Sequence, residues 1–110
     1  MIYSRNFKII GYFVLNQILT IVDPSRIYFY RTADGTEIDF VITKGGVPYI
    51  SVEVKLNSAP TPTKSLTLGI EDLKTPHNYI VAPISVGYPL TNDTMVVSIG
   101  ELMEVLESKV

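Results

Sequence analysis

Glu37-Ile38-Asp39-Phe40-Val41-Ile42 and Tyr49-Ile50-Ser51-Val52-Glu53-Val54-Lys55 decide the fold. Both stretches alternate. The first sets Ile38, Phe40 and Ile42 against Glu37, Asp39 and Val41; the second sets Ile50, Val52, Val54 and Leu56 against Ser51, Glu53 and Lys55. A period of two is the pattern of a strand buried on one face. Lys44-Gly45-Gly46 supplies the reversal between them, because glycine takes the positive φ of a tight turn without steric cost. Pairing across that turn gathers Asp39, Glu53 and Lys55 on one face. Two carboxylates beside a lysine suit a hard divalent cation and an activated water.

Working outward, residues 6–21 read as a helix in which Phe7, Ile10, Val14, Ile18 and Ile21 keep three-to-four spacing. Asp23-Pro24-Ser25 ends it, since proline cannot continue a helix. Residues 26–32 are aromatic and β-branched and read as a strand, and Asp34-Gly35 is a hairpin signal. A three-stranded meander results. Downstream, Pro60 and Pro62 mark a loop, and Thr61 is placed to cap a helix over residues 62–74, with Leu66, Ile70 and Leu73 as its apolar stripe. Residues 79–84 form a continuous apolar run, expected to be a buried strand reached by that helix as a parallel crossover. Residues 87–93 are turn-rich, and residues 95–98 read as another strand. Ser98-Ile99-Gly100-Glu101 has the spacing of a capping box, with Leu102, Val105 and Leu106 inward behind it. The fold class is therefore α/β, with a mixed sheet flanked by helices.

The chain of 110 residues is the size of one domain. Its hydrophobic content of 46% against 18% charged residues is that of a folded core, not of a disordered segment. The absence of cysteine excludes disulfides, thiolate metal sites and cysteine catalysis, and it fits a reducing, cytoplasmic setting. His77, the single histidine, cannot build a histidine-rich zinc site and reads as a loop or strand-start residue. A formal charge of −2 gives little non-specific attraction for nucleic acid and leaves weak binding through a bound metal. Residues 7–22 are apolar near Arg5 and Lys8, but Asn16 and Gln17 interrupt them and the run is short for a membrane span. They read as a mostly buried helix, with no membrane association.

The order αβββαβ, with Asp39 on the second strand and Glu53-Val54-Lys55 on the third, resembles the restriction-endonuclease-like fold and its Asp…Glu-x-Lys nucleases. Tyr28-Phe29-Tyr30-Arg31-Thr32, Gly35-Thr36-Glu37-Ile38-Asp39-Phe40-Val41 and Val52-Glu53-Val54-Lys55 look like the C-terminal domain that follows the ATPase module in many archaeal and bacterial AAA-type ATPases. The resemblance covers nearly the whole chain. It implies that residues 1–110 are a single nuclease-like domain, expected to be the C-terminal fragment of a longer ATPase-linked protein. It also implies that Asp39 and Glu53 hold Mg2+ or Mn2+ with the Val54 carbonyl near the same ion. Lys55 would position or deprotonate the attacking water, so that Asp39, Glu53 and Lys55 form the catalytic set. Glu37 and Arg31 would stand behind them.

The first helix in such domains carries acidic residues near the positions of Gly11 and Gln17, whereas residues 1–22 here contain none. The expected function is therefore a nuclease-like domain with a degenerate divalent-metal site, linked to an ATPase module or another protein partner. The alternative is an active Mg2+- or Mn2+-dependent DNA nuclease. Two carboxylates crowded together should push one pKa upward while Lys55 pulls the other down. Blander readings accompany each residue. Glu53 and Lys55 also fit ordinary cross-strand pairing, Arg31 an ion pair with a neighbouring acid, and Tyr28, Tyr30 and Tyr49 either sheet packing or stacking on bases. Ser51 has no histidine near it in sequence to make it a nucleophile.

Overall fold

Gly45 and Gly46 both take positive φ, 62° and 81°, and close the central hairpin between β2 (Glu37–Lys44) and β3 (Val47–Val54). Two consecutive positive φ values match the twist of the flanking strands, so Lys44 faces Val47 across the turn. The computed structural model describes residues 5–110; the side chains of residues 5–8, Phe7 among them, lie outside the described set. Around the hairpin are α1 (Arg5–Leu19), a single 3-10 turn (Pro24–Arg26), β1 (Ile27–Arg31), α2 (Lys64–Leu73), β4 (His77–Val81), β5 (Tyr88–Pro89), β6 (Thr94–Val97) and α3 (Ile99–Lys109).

The strands make one mixed sheet in the order β1-β2-β3-β4-β6-β5. The meander β1-β2-β3 is antiparallel, β3-β4 and β4-β6 are parallel, and β5 returns antiparallel to β6. The expected parallel crossover from β3 through α2 to β4 is present. Both faces of the sheet are covered. On one, Val14 and Ile18 of α1 and Leu102 and Leu106 of α3 pack on Ile42, Ile50, Val52, Val54 and Val81. On the other, Leu66 of α2 packs on Ile38, Val41, Ile80, Ala82 and Val96. The near-continuous apolar run of β4 follows from this, since a strand covered on both sides has no solvent face.

Several boundaries differ from the sequence expectation. Thr63, not Thr61, caps α2 by accepting the Leu66 N–H at 3.1 Å, which leaves Pro62 outside the helix. Strand β4 runs from His77 to Val81, and the Ala82 N–H still donates to the Val97 carbonyl at 3.0 Å before the chain leaves the sheet. The turn-rich residues 87–93 contain the short strand β5. Leu56 lies beyond β3 and is exposed rather than sharing its core face. The capping box is present as expected: Ser98 Oγ accepts the Glu101 N–H and Glu101 Oε1 accepts the Ser98 N–H.

The sheet and α2 meet closely at Gly69. A Cβ there would stand 2.6 Å from Ile38 Cδ1 and 2.8 Å from its Cγ1. Overpacking of this kind costs about 1–3 kcal/mol, against about 1 kcal/mol that alanine contributes over glycine inside a helix. Gly69→Ala should therefore lower the free energy of unfolding by up to about 2 kcal/mol net, read as a lower denaturation midpoint at an unchanged m-value. A midpoint at or above the wild type would show that Ile38 moves aside freely.

Candidate functional site

The pairing of β1 with β2 slips by one residue. Tyr28 faces Val41 and Tyr30 faces Ile38, so Asp39 and Phe40 together oppose Phe29. This is a β-bulge, which bends a strand and re-aims its side chains. It overturns the simple alternation expected for β2. Ile38 and Val41 share the α2 face, while Phe40 and Ile42 share the opposite one. Ile38 is the residue displaced; Asp39, two residues before Val41, and Glu53, between Val52 and Val54, keep the same-face parity expected of them. The Phe29 and Phe40 rings, 5.9 Å apart, pack at the same place.

At the bulge, side chains replace ladder bonds. The Asp39 N–H donates to Glu53 Oε1 at 2.7 Å, and the Val54 N–H donates to Asp39 Oδ2 at 2.9 Å. The two carboxylates are thus interlocked, each held by a backbone N–H of the other's strand. Beyond them the Lys55 N–H donates to the Val81 carbonyl at 2.9 Å, which extends the parallel pairing one residue past β3. Lys55 Nζ lies 3.8 Å from Glu53 Oε2. Arg31 pairs with Glu37 as the blander reading had it. The Glu37 backbone is clamped by α2: its N–H donates to Ser65 Oγ at 2.7 Å, and that hydroxyl donates to its carbonyl at 3.1 Å.

Glu53 is only 7% exposed. Burial first, and then the nearby Asp39 charge, pushes its pKa up to about 8; the Asp39 N–H and the Lys55 ammonium oppose that rise. Asp39 is also raised, again chiefly by burial, with the Val54 N–H and Lys55 pulling the other way. The expectation that Lys55 would leave one carboxyl lowered is corrected: desolvation outweighs the ammonium for both acids. Near neutral pH the pair holds a proton, and it sits where an added cation would relieve the crowding of charge.

Asp39, Glu53 and Lys55 come together, with Glu37 and Arg31 close enough for their charges to act on Asp39. Val54 contributes its N–H. The backbone bonds engage Oδ2 of Asp39 and Oε1 of Glu53, so Oδ1 and Oε2 are the oxygens that those bonds leave for a cation. Among the described residues no group of three or more His, Cys, Asp or Glu side chains is arranged to hold a metal. Two carboxylates alone would leave most of a divalent ion's shell to water or other oxygens. The other candidates serve packing. Ser51 Oγ and Thr75 Oγ1 both donate to Asn78 Oδ1 inside the sheet. Tyr30 bonds Asp72, and Tyr49 packs edge-on against His77, which begins β4. Ser65 was not legible as a clamp, because nothing in a helix's first turn marks a serine that reaches a strand 28 residues away.

The raised pKa of Glu53 has a pH signature. The folded protein holds a proton that the unfolded chain releases, so this carboxyl's contribution to stability is fullest below about 4.5 and is lost as pH climbs toward about 8. His77, depressed mainly by burial and then by Lys109 and Lys44, tilts stability the opposite way near its own titration. The difference between wild type and Glu53→Gln isolates the carboxyl. Wild-type Tm should fall relative to Glu53→Gln between pH 5 and pH 8, and parallel Tm profiles would refute the shift.

A family model for a domain of unknown function, DUF4143, matches residues 8–102. Among curated proteins, the chain is similar to Uncharacterized protein Mb2031c of Mycobacterium bovis and Uncharacterized protein Rv2008c of Mycobacterium tuberculosis, 29% identical to each over 91 residues. The alignment covers 83% of this chain and 20% of either relative, so the chain spans about a fifth of their length. No solved structure matches the chain significantly. No helix among the described residues is long and apolar enough to cross a membrane. With most of its length inside the family match, and the bulged carboxylate pair within the matched residues, the chain belongs to the DUF4143 family.

Proposed function

We propose that this domain is a nuclease-like module of restriction-endonuclease-like architecture that binds Mg2+ or Mn2+ weakly at Asp39 and Glu53 and turns over nucleic acid slowly or not at all. The observation that carries the reading is the interlocked carboxylate pair with Lys55 beside it. Such a pair, buried and proton-laden, exchanges its proton for a cation at little structural cost, because backbone N–H groups already hold both side chains in place. The Val54 carbonyl is the third protein ligand of the proposal. A cation bound there would supply charge stabilisation to a phosphate oxygen. Lys55 orients a water and carries charge toward a polyanion; Asp39 and Glu53 accept hydrogen bonds from that water. Poor turnover follows from the two-carboxylate donor set, from the lack of an acid in residues 1–22, and from a net charge of −2.

The relatives' greater length supports the further reading that such a domain works beside another module, here proposed to be an ATPase. Tyr12 of α1 and Phe29 of β1 are 67% and 63% exposed, apolar surface suited to packing against a neighbour.

Titration with Mn2+ at pH 7 in two buffers of different ionisation enthalpy tests the site. Weak binding with release of about one proton per ion is expected, together with loss of binding in Asp39→Ala. Binding that survives Asp39→Ala, or that releases no proton, sinks the assignment. Strong Mn2+-dependent cleavage of DNA that vanishes in the same variant would instead establish the active nuclease.

A further inference from the structure

Helix α1 is apolar on both of its sides. Val14 and Ile18 of its inner face are buried in the core beside the sheet. Its outer face carries Ile9, Tyr12 and Phe13, which are 57%, 67% and 51% exposed, with Leu19 at 37%. Asn16 and Thr20 complete that face and are exposed too. The Thr20 N–H bonds back to the Gln17 carbonyl and carries the last turn on by one residue. Residues 9–22 contain no charged side chain. A surface helix sets charged and polar residues opposite its apolar stripe, whereas one that is apolar all round is a buried helix. Here the fold covers one side of it and leaves the other open.

We propose that the outer face of α1 docks on the same face of a second copy of this chain, the two helices antiparallel about a two-fold axis at Asn16. The inference goes beyond the metal-site reading and does not depend on it; it assigns Tyr12 to a like chain and leaves Phe29 to a different neighbour. Three observations choose a second copy. The first is the pattern. A two-fold contact is self-complementary, because each residue that touches another is touched by its equivalent in return. The face reads alike in both directions from Asn16: Phe13 and Leu19 lie three residues away, Tyr12 and Thr20 four. Antiparallel pairing therefore sets Phe13 against the partner's Leu19, Tyr12 against the partner's Thr20, and the two Asn16 amides against each other. An amide is donor and acceptor at once, so two of them can pair across an axis, and a lone polar residue in an apolar seam fixes the register. The second is charge. In sequence, Lys8 precedes the uncharged run and Asp23 follows it. Antiparallel helices bring the Lys8 end of one copy to the Asp23 end of the other, and opposite ends of the helix dipoles meet. Parallel helices would set like charges together. The third is area. Aromatic side chains bury roughly 150–250 Å² each, so the exposed parts of Tyr12 and Phe13 offer about 200 Å², and Ile9, Ile10 and Leu19 about as much again. Two copies would bury about 800–1,000 Å² in all, the range of weak, reversible association.

Sedimentation equilibrium of the chain at loadings up to about 500 µM tests the pairing, with substitutions at the exposed Asn16. The wild type should pass from monomer to dimer across that range. Asn16→Asp and Asn16→Lys should each weaken dimerisation at least about tenfold, because like charges then meet on the axis. An equimolar mixture of the two variants should recover at least the wild-type affinity as a mixed dimer. Damage to the fold alone gives no such recovery. A chain that stays monomeric at every loading, the result expected if a different module or a lipid surface covers α1, overturns the proposal. So does a dimer that either substitution leaves intact, or one that mixing fails to restore.

Discussion

The one extra residue in β2 governs what this sheet can do. Asp39 lies at the bulge against β1 and beside Glu53 on β3. The Asp39 N–H turns to the Glu53 carboxylate, and the Val54 N–H holds Asp39 in return. Two backbone donors bond acids there, and among the described residues no buried side-chain polar atom lacks a partner. Buried donors left without partners typically cost about 1–3 kcal/mol each. The bulge persists because its side chains complete the ladder that it breaks.

The surrounding packing holds the bulge in register. Ile38 before it is pressed against α2 at Gly69, where the helix comes too close for any side chain. Phe40 after it is buried on the opposite face, with Phe29 against its ring. Ser65 clamps the Glu37 backbone two residues upstream. The strand is thus fixed on both sides of the bulge from both layers of helix. A slip of one residue would exchange Ile38 and Phe40 between two cores of different shape.

Much of the architecture was legible in the sequence. The glycine turn, the crossover through α2, and the Ser98–Glu101 capping box are local signals that tertiary contacts reinforce. The gathering of Asp39, Glu53 and Lys55 was legible too, through the parity that Asp39 shares with Val41; the place of Ile38 was not. Alternation put Ile38 with Phe40, whereas the bulge separates them. Hydrophobic residues on both sides of Asp39 conceal an extra residue, since a strand buried on two faces is apolar at every register. The same blindness affected β4, where an unbroken apolar run ending in Ile84 gave no sign that the strand ends at Val81, with Ala82 making one more bond to Val97. Thr61 and Thr63 are chemically equivalent caps, and no local pattern encodes that Thr63 is the one whose hydroxyl accepts the Leu66 N–H.

On the proposed reading, burial of the pair also reconciles an acidic site with the binding of a polyanion. Two ionised carboxylates would repel a phosphate. A pair that holds a proton carries about one negative charge fewer, and Lys55 offsets part of the remainder. On the proposed reading, a cation entering the site replaces that proton, so the site becomes attractive to phosphate only when it is metal-loaded. Weak affinity is then a consequence of the geometry. The cation must compete with a proton held to about 8 and with the backbone donors that already occupy two of the four carboxylate oxygens. Phosphate oxygens can supply the missing ligands, so ion and nucleic acid should strengthen each other's binding by the same factor, as thermodynamic linkage requires.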